Sequence, residues 1–190
     1  MSAIPTSLLQ PPIASLAAYL EWADGAPDEM QFEVVGGRPV VNPVPGAPHQ
    51  QLVMLVALLV APAAARAGLA PLPAPVDWVL WELPSLTVRQ PDLVLVEPDQ
   101  AVLPRLVTPP ALAVEILSPS SVERDVVTKR LEYARAGLPH YWLVDPVGPA
   151  VTIYRLEDDV LQEVGQASSG RPLAVEAPVQ ITIDVARLRA

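Results

Sequence analysis

Twenty-four of the 190 residues are proline. Proline lacks a backbone N–H and its ring blocks the preceding helical turn, so prolines spread this densely exclude a long-helix architecture. They leave short elements with punctuated connections. The longest apolar run, LVMLVALLVAPAAA at 52–65, shows the limit. Pro48 stands near its start, a tolerated first-turn position, and Pro62 is expected to kink or end the helix. The run's 14 residues fall short of the roughly 20 that cross a bilayer. It is read as a buried core or dimer-interface helix, with no membrane partner.

Between the prolines, periodicity assigns the elements. SLAAYLEWA at 15–23 is a short helix closed by Asp24-Gly25. QFEVV, the pair Gly36-Gly37 and RPVVN form a hairpin, the glycines supplying positive φ at its turn. VDWVLWE (76–82), DLVLV (92–96) and LAVEIL (112–117) are strands. The last two are nearly continuous apolar runs, which suits strands covered on both faces. Ser120 followed by Glu123 matches a capping box, so a helix should begin near 121, and Gly137 and Pro139 stop it. HYWLVD, VTIYRL and VLQEVG are further strands, and PVQITIDVARL adds a last strand or turn. The order implies one α/β domain over 1–190, with 1–14 irregular, a core over 15–156 and C-terminal strands over 157–190.

The chain is 51% hydrophobic and 17% charged, a globular composition. It has no cysteine, which excludes disulfides, thiolate metal sites and a Cys nucleophile and fits a reducing cytoplasm. No basic residue precedes the first apolar stretch, so the start does not resemble a secretory leader. The net charge of −9 argues against a broad basic nucleic-acid surface. A local phosphate site remains compatible with it, because a divalent cation inverts the local field.

Against eleven arginines there is one lysine, Lys129. In the helix that follows Ser120, Val122, Val126, Lys129 and Tyr133 share a face at spacings of four, three and four, with Asp125 beside it. A neighbouring stripe of Val127, Leu131 and Ala134 implies broad packing on the sheet. On the strands, Glu115 interrupts an apolar run, and a buried carboxylate needs a partner, hydrogen bonds or a cation. Asp92 opens the preceding strand. If the two strands are neighbours, Asp92 and Glu115 reach one sheet edge, and two oxygen ligands with open positions suit Mg²⁺ or Mn²⁺. Lys129 could then orient a water or neutralise a phosphoryl transition state. The bland alternative is an ordinary Asp125–Lys129 helix pair, with Glu115 a structural partner of Lys129 or Arg130.

RQPDLVLV, ALAVEILSPSS, RDVVTKRLEYARAGLPHYWLVDP and FEVVGGRPVV…PGAPHQ resemble, in order and spacing, the Uma family of restriction-endonuclease-like proteins. The resemblance spans about residues 15–156. It implies a PD-(D/E)XK nuclease fold: a mixed β-sheet flanked by helices, with an N-terminal helix and hairpin. It makes Asp92 the aspartate of the PD half-motif and Glu115 the acid of the other half. Leu117 stands where the superfamily lysine belongs, and Lys129, on the following helix, fits the migrated lysine. Glu33 matches a glutamate near the site, His49 a histidine before the second helix, and Asp125 an acid that steers Lys129. Ser118, Tyr141 and Trp142 are read as structural.

The resulting expectation is a Mg²⁺- or Mn²⁺-dependent endonuclease. Asp92, Glu115, Lys129 and Glu33 are its catalytic residues, Asp92 and Glu115 its metal ligands, and Asp125 and His49 its supporting residues. The expected partners are DNA and a second copy in a homodimer. A catalytically silent homodimeric module of the same fold, or a hydrolase of small phosphoesters or nucleotides, are the alternatives.

Overall fold

The computed structural model describes residues 12–25, 31–118 and 122–188. The Ser120 cap and residues 1–11 of the N-terminal segment lie outside them. Helix α1 (Leu16–Asp24) starts at Ser15, whose side-chain oxygen accepts from the Ala18 N–H. The hairpin follows as β1 (Gln31–Val35) and β2 (Arg38–Asn42), with Gly36 and Gly37 at φ 59° and 77°. After α2 (Ala47–Arg66) come β3 (Ala70–Pro73), β4 (Trp78–Trp81), β5 (Thr87–Arg89), β6 (Leu93–Val96) and β7 (Leu112–Ile116). A π-helical segment, Arg124–Lys129, runs into α3 (Arg130–Arg135). The remaining strands are β8 (His140–Asp145), β9 (Ala150–Glu157), β10 (Val160–Ser168), β11 (Leu173–Val175) and β12 (Ile181–Ile183).

The strands form a six-stranded sheet in the order β10-β9-β8-β7-β6-β3, a four-stranded sheet β2-β1-β5-β4 and the pair β11-β12. The large sheet is mixed, since β7 and β8 run parallel while its other pairs are antiparallel. Both of its faces are covered. Leu93, Leu95, Leu112, Val114 and Ile116 pack with Leu52, Val53, Val56 and Val60 of α2. The alternate residues Val94, Val96 and Ala113 pack with Tyr133, Ala134 and Tyr141 on the other side. Strand side chains alternate between faces, so Glu115 shares the face of Ala113, toward α3. The four-stranded sheet forms a separate cluster with α1 through Tyr19, Val34, Val79 and Val88.

Four expectations need correction. Pro62 neither ends nor halves the second helix, which continues to Arg66. Both Pro62 and Leu58, whose carbonyl the proline leaves without an i+4 donor, face solvent, so water can satisfy that oxygen. The helix is therefore 20 residues long and, by length and composition alone, apolar enough to cross a membrane; its inner stripe packs on the sheet. The third helix is not regular, because the wider π turn between 124 and 129 changes which residues share a face. Asp125, Lys129 and Tyr133 are buried, whereas Val122 is exposed, and of the second stripe only Ala134 packs on the sheet while Val127 and Leu131 are exposed. Finally, β3 and β5 carry too few alternating residues to stand out in sequence. β3 is tolerated with two prolines because it is an edge strand.

Candidate active site

The two sheets meet around Lys129. In the small sheet, β1 and β5 pair at Val34–Val88, and continuing that register places Glu33 opposite Arg89. In the large sheet, β6 and β7 pair at Leu93–Val114, so one further step places Asp92 opposite Glu115. The π-helical turn delivers the lysine between them.

Lys129 Nζ lies 2.7 Å from Glu115 Oε1, 3.2 Å from Glu33 Oε1 and 3.7 Å from Asp125 Oδ1. The amine and all three carboxylates are almost wholly withdrawn from solvent; Lys129 is 3% exposed. A solvated i,i+4 pair is thereby excluded, as is a solvated Glu33. Tyr133 OH donates to the same Glu115 Oε1 at 2.7 Å. Both bonds fall on one oxygen. Behind Glu33, the buried Arg89 donates to its Oε2 at 2.9 Å and holds both oxygens of Glu132. The Gln90 N–H donates to Glu33 Oε1. Tyr141 OH donates to the Asp125 carbonyl at 3.0 Å, fixing the π turn to the sheet.

Asp92 Oδ2 accepts from the Ile116 N–H at 2.7 Å, which ties it to the strand carrying Glu115. His49 Nε2 stands 3.3 Å from the same oxygen. The histidine therefore contacts an acid of the constellation rather than acting as a helix-start cap. Asp92, Glu115, Asp125, Lys129 and His49 all border one open cavity of about 230 Å³, whose rim includes Arg124 and Gln90.

Charge around this cavity is unbalanced. Glu33, Asp92, Glu115, Asp125 and Glu132 are gathered about three permanent cations, Lys129, Arg89 and Arg124. An ion pair as short as Glu115–Lys129 ordinarily lowers a carboxyl pKa. Here burial, joined by the charges of Asp92, Asp125 and Glu33, outweighs the amine and pushes Glu115 up to about 8. Burial also opposes ionisation of Glu33, but Lys129 and Arg89 overcome it and hold that carboxyl down at about 2. For Lys129, burial is overruled by Glu115, Glu33 and Asp125, so the amine stays protonated. The Asp92 hydrogen bond raises the His49 pKa against partial burial.

This donor set fits a hard divalent cation. It offers carboxylate oxygens at a solvent-open cavity, an excess of negative charge and no thiolate. Among the described residues no three His, Asp or Glu side chains are grouped to hold an ion by themselves. Water and substrate oxygens would have to complete the shell, as is usual for Mg²⁺.

The structure thus brings together Glu33, Glu115, Asp125 and Lys129 directly, with Asp92 and His49 on the same cavity. Sequence reasoning missed Arg89, Glu132 and the hydroxyl of Tyr133. Arg89 had one available signal: a charged residue directly after the β-favouring LTV at 86–88, which in a buried strand demands an acid opposite it. Ser118 lines the cavity, and Tyr141 and Trp142 are buried on opposite faces of the large sheet, as structural roles require.

A family profile described as "Uma2: Putative restriction endonuclease" matches residues 16–186. A crystal structure described as a putative nuclease belonging to DUF820, from Anabaena variabilis ATCC 29413, superposes with a TM-score of 0.71 at 17% identity, over 92% of this chain and 96% of that one. At that identity the likeness concerns the fold. No curated protein matches.

Proposed function

The chain belongs to the Uma2 family, whose description is "Putative restriction endonuclease", and from that premise we propose that it is a divalent-metal-dependent phosphodiesterase that hydrolyses DNA. One observation carries the reading: the single lysine of the chain is buried against Glu115 at the edge of an open cavity that Asp92 also lines. A buried ion pair is seldom retained for stability, since its desolvation cost commonly exceeds its attraction. A protein that keeps one at a solvent-open cavity has a use for it there.

Asp92 and Glu115 would hold the cation, each through carboxylate oxygen. Mg²⁺ or Mn²⁺ in that position supplies Lewis-acid stabilisation of phosphoryl charge and acidifies water. Lys129, kept protonated by three acids, offers N–H donors to the attacking water or to a non-bridging phosphate oxygen. A compact ammonium suits this position, because a planar guanidinium would spread its charge over a fork. Tyr133 and Glu33 orient the amine and Glu115, and Arg89 anchors Glu33 in turn. Asp125 fixes the electrostatics of the helix face, and the His49 imidazole steadies Asp92.

The test is nicking of supercoiled plasmid in Mg²⁺ or Mn²⁺ by wild type, Glu115→Ala and Lys129→Ala. We expect metal-dependent nicking that falls at least about a hundredfold in both variants, the scale associated with removing one group that stabilises transition-state charge. Activity indifferent to both substitutions, or none in the wild type, would remove the hydrolase reading in favour of a silent module of the same fold.

A further inference from the structure

A second cavity, of about 450 Å³, adjoins the first, and the two share His49, Ile116 and Ser118 as a common wall. Its character differs. The first sets Asp92, Glu115, Asp125 and Lys129 among amides and some apolar residues, whereas the second is walled mainly by Leu52, Ile116, Val144, Pro146, Pro149 and Leu188. Its size falls in the range of small-molecule sites. Among the described residues the carboxylate on its wall is Asp145, one oxygen of which accepts from the Val147 and Gly148 N–H groups. An acid there repels phosphate but can accept from a base amine. Of the two halves of a nucleotide, only the base suits this cavity.

Charge distribution points the same way. Duplex affinity comes chiefly from lysines and arginines set against phosphates. This chain carries −9 overall, two of its cations, Lys129 and Arg89, are buried among carboxylates, and Arg124, at the polar cavity, is half-buried beside Asp125. A substrate held by so few phosphate contacts needs another source of binding free energy. Apolar burial of an unstacked base supplies one that is independent of charge.

We propose that the apolar cavity receives the nucleobase next to the phosphate held at the Asp92–Glu115 cavity, so that the chain acts on single-stranded or locally unstacked nucleotides rather than on intact duplex. The proposal rests on the phosphodiesterase reading for the position of the phosphate. The base stacks against proline rings and aliphatic side chains. Its sugar crosses the wall at Ser118 and His49.

Fluorescence anisotropy tests it, with Ca²⁺ in place of Mg²⁺. The probes are a labelled single-stranded oligonucleotide, the same sequence as duplex, and an abasic strand of equal length. Ala150→Phe and Leu188→Trp each place bulk at the wall of the apolar cavity from a different element, and circular-dichroism melts confirm that each variant is folded. Wild type should bind the single strand at least about tenfold tighter than the duplex or the abasic strand, a difference of about 1.4 kcal/mol. Each variant should lose about tenfold on the single strand and nothing on the abasic one. Equal binding of strand and duplex, no binding of either, or variants that bind like wild type would overturn the proposal. Filler-sensitive strand binding with no Mg²⁺- or Mn²⁺-dependent cleavage of either the single strand or the plasmid would leave the base site standing and remove only the hydrolase. Nicking of duplex unaffected by either filler would do the reverse.

Discussion

Lys129 holds together three acids that would otherwise repel one another, and the two glutamates respond in opposite directions. Glu33 titrates at about 2 in the fold against an ordinary value of 4.5. A depressed carboxyl stabilises the folded state above its unfolded pKa, and that contribution is lost as pH falls through the folded value. We therefore expect wild type to exceed Glu33→Gln in stability by up to about 3 kcal/mol at neutral pH. The gap should close between about pH 4.5 and 2, as followed by urea unfolding across pH. A gap that stays constant would show that Glu33 acts through shape and not charge. Glu115, raised to about 8 from 4.5, has the reverse sign: its contribution is complete below 4.5 and fades as pH rises through 8. Glu115 and Lys129 were legible in sequence because a lone acid in an apolar strand and a lone amine on a half-apolar helix face both demand partners. Arg89 and Glu132 were not. Their meaning lies in a strand-to-helix bond between residues 43 positions apart, which no local pattern records.

At the level of elements, the hairpin and the π-helical turn position the site. Gly37 has φ +77°, and a Cβ added there would stand 2.9 Å from the Ile13 carbonyl oxygen. Gly68 has nearly the same φ, +76°, but open space around it. Gly68→Ala should cost about 1–2 kcal/mol from backbone strain alone. Gly37→Ala should cost clearly more, and should also disturb the Glu33 strand that ends at this turn. Denaturant midpoints of the two variants measure the difference; equal losses would mean that the contact with Ile13 gives way freely. The hairpin, α1 and most strands of the large sheet could be read from turn residues and alternation. The π turn could not. A 3.6-residue period was assumed, and one wider turn was enough to bury Asp125 and expose Val127. β5 escaped detection because three buried residues in a row make no pattern.

For the whole molecule, the proposed activity sets an acidic chain against a polyanion with little help from its surface. If phosphate contacts are confined to Lys129 and Arg124, the logarithm of strand affinity should fall with the logarithm of salt at a slope of only about −1 to −2. Anisotropy titrations over a range of NaCl concentrations check this. A much steeper slope would reveal a basic surface that neither the charge count nor the cavity suggests. The sequence by itself determined the family, the α/β class and the residue types available for chemistry, because periodicity, turn residues and misplaced charges are local features that the chain carries unfolded. Tertiary structure alone decided which charges meet. It joined two sheets at one amine, paired His49 with Asp92 and set an apolar cavity beside an acidic one. Those relations depend on register and helix winding, and a shift of one residue in either would send the same side chains to different neighbours.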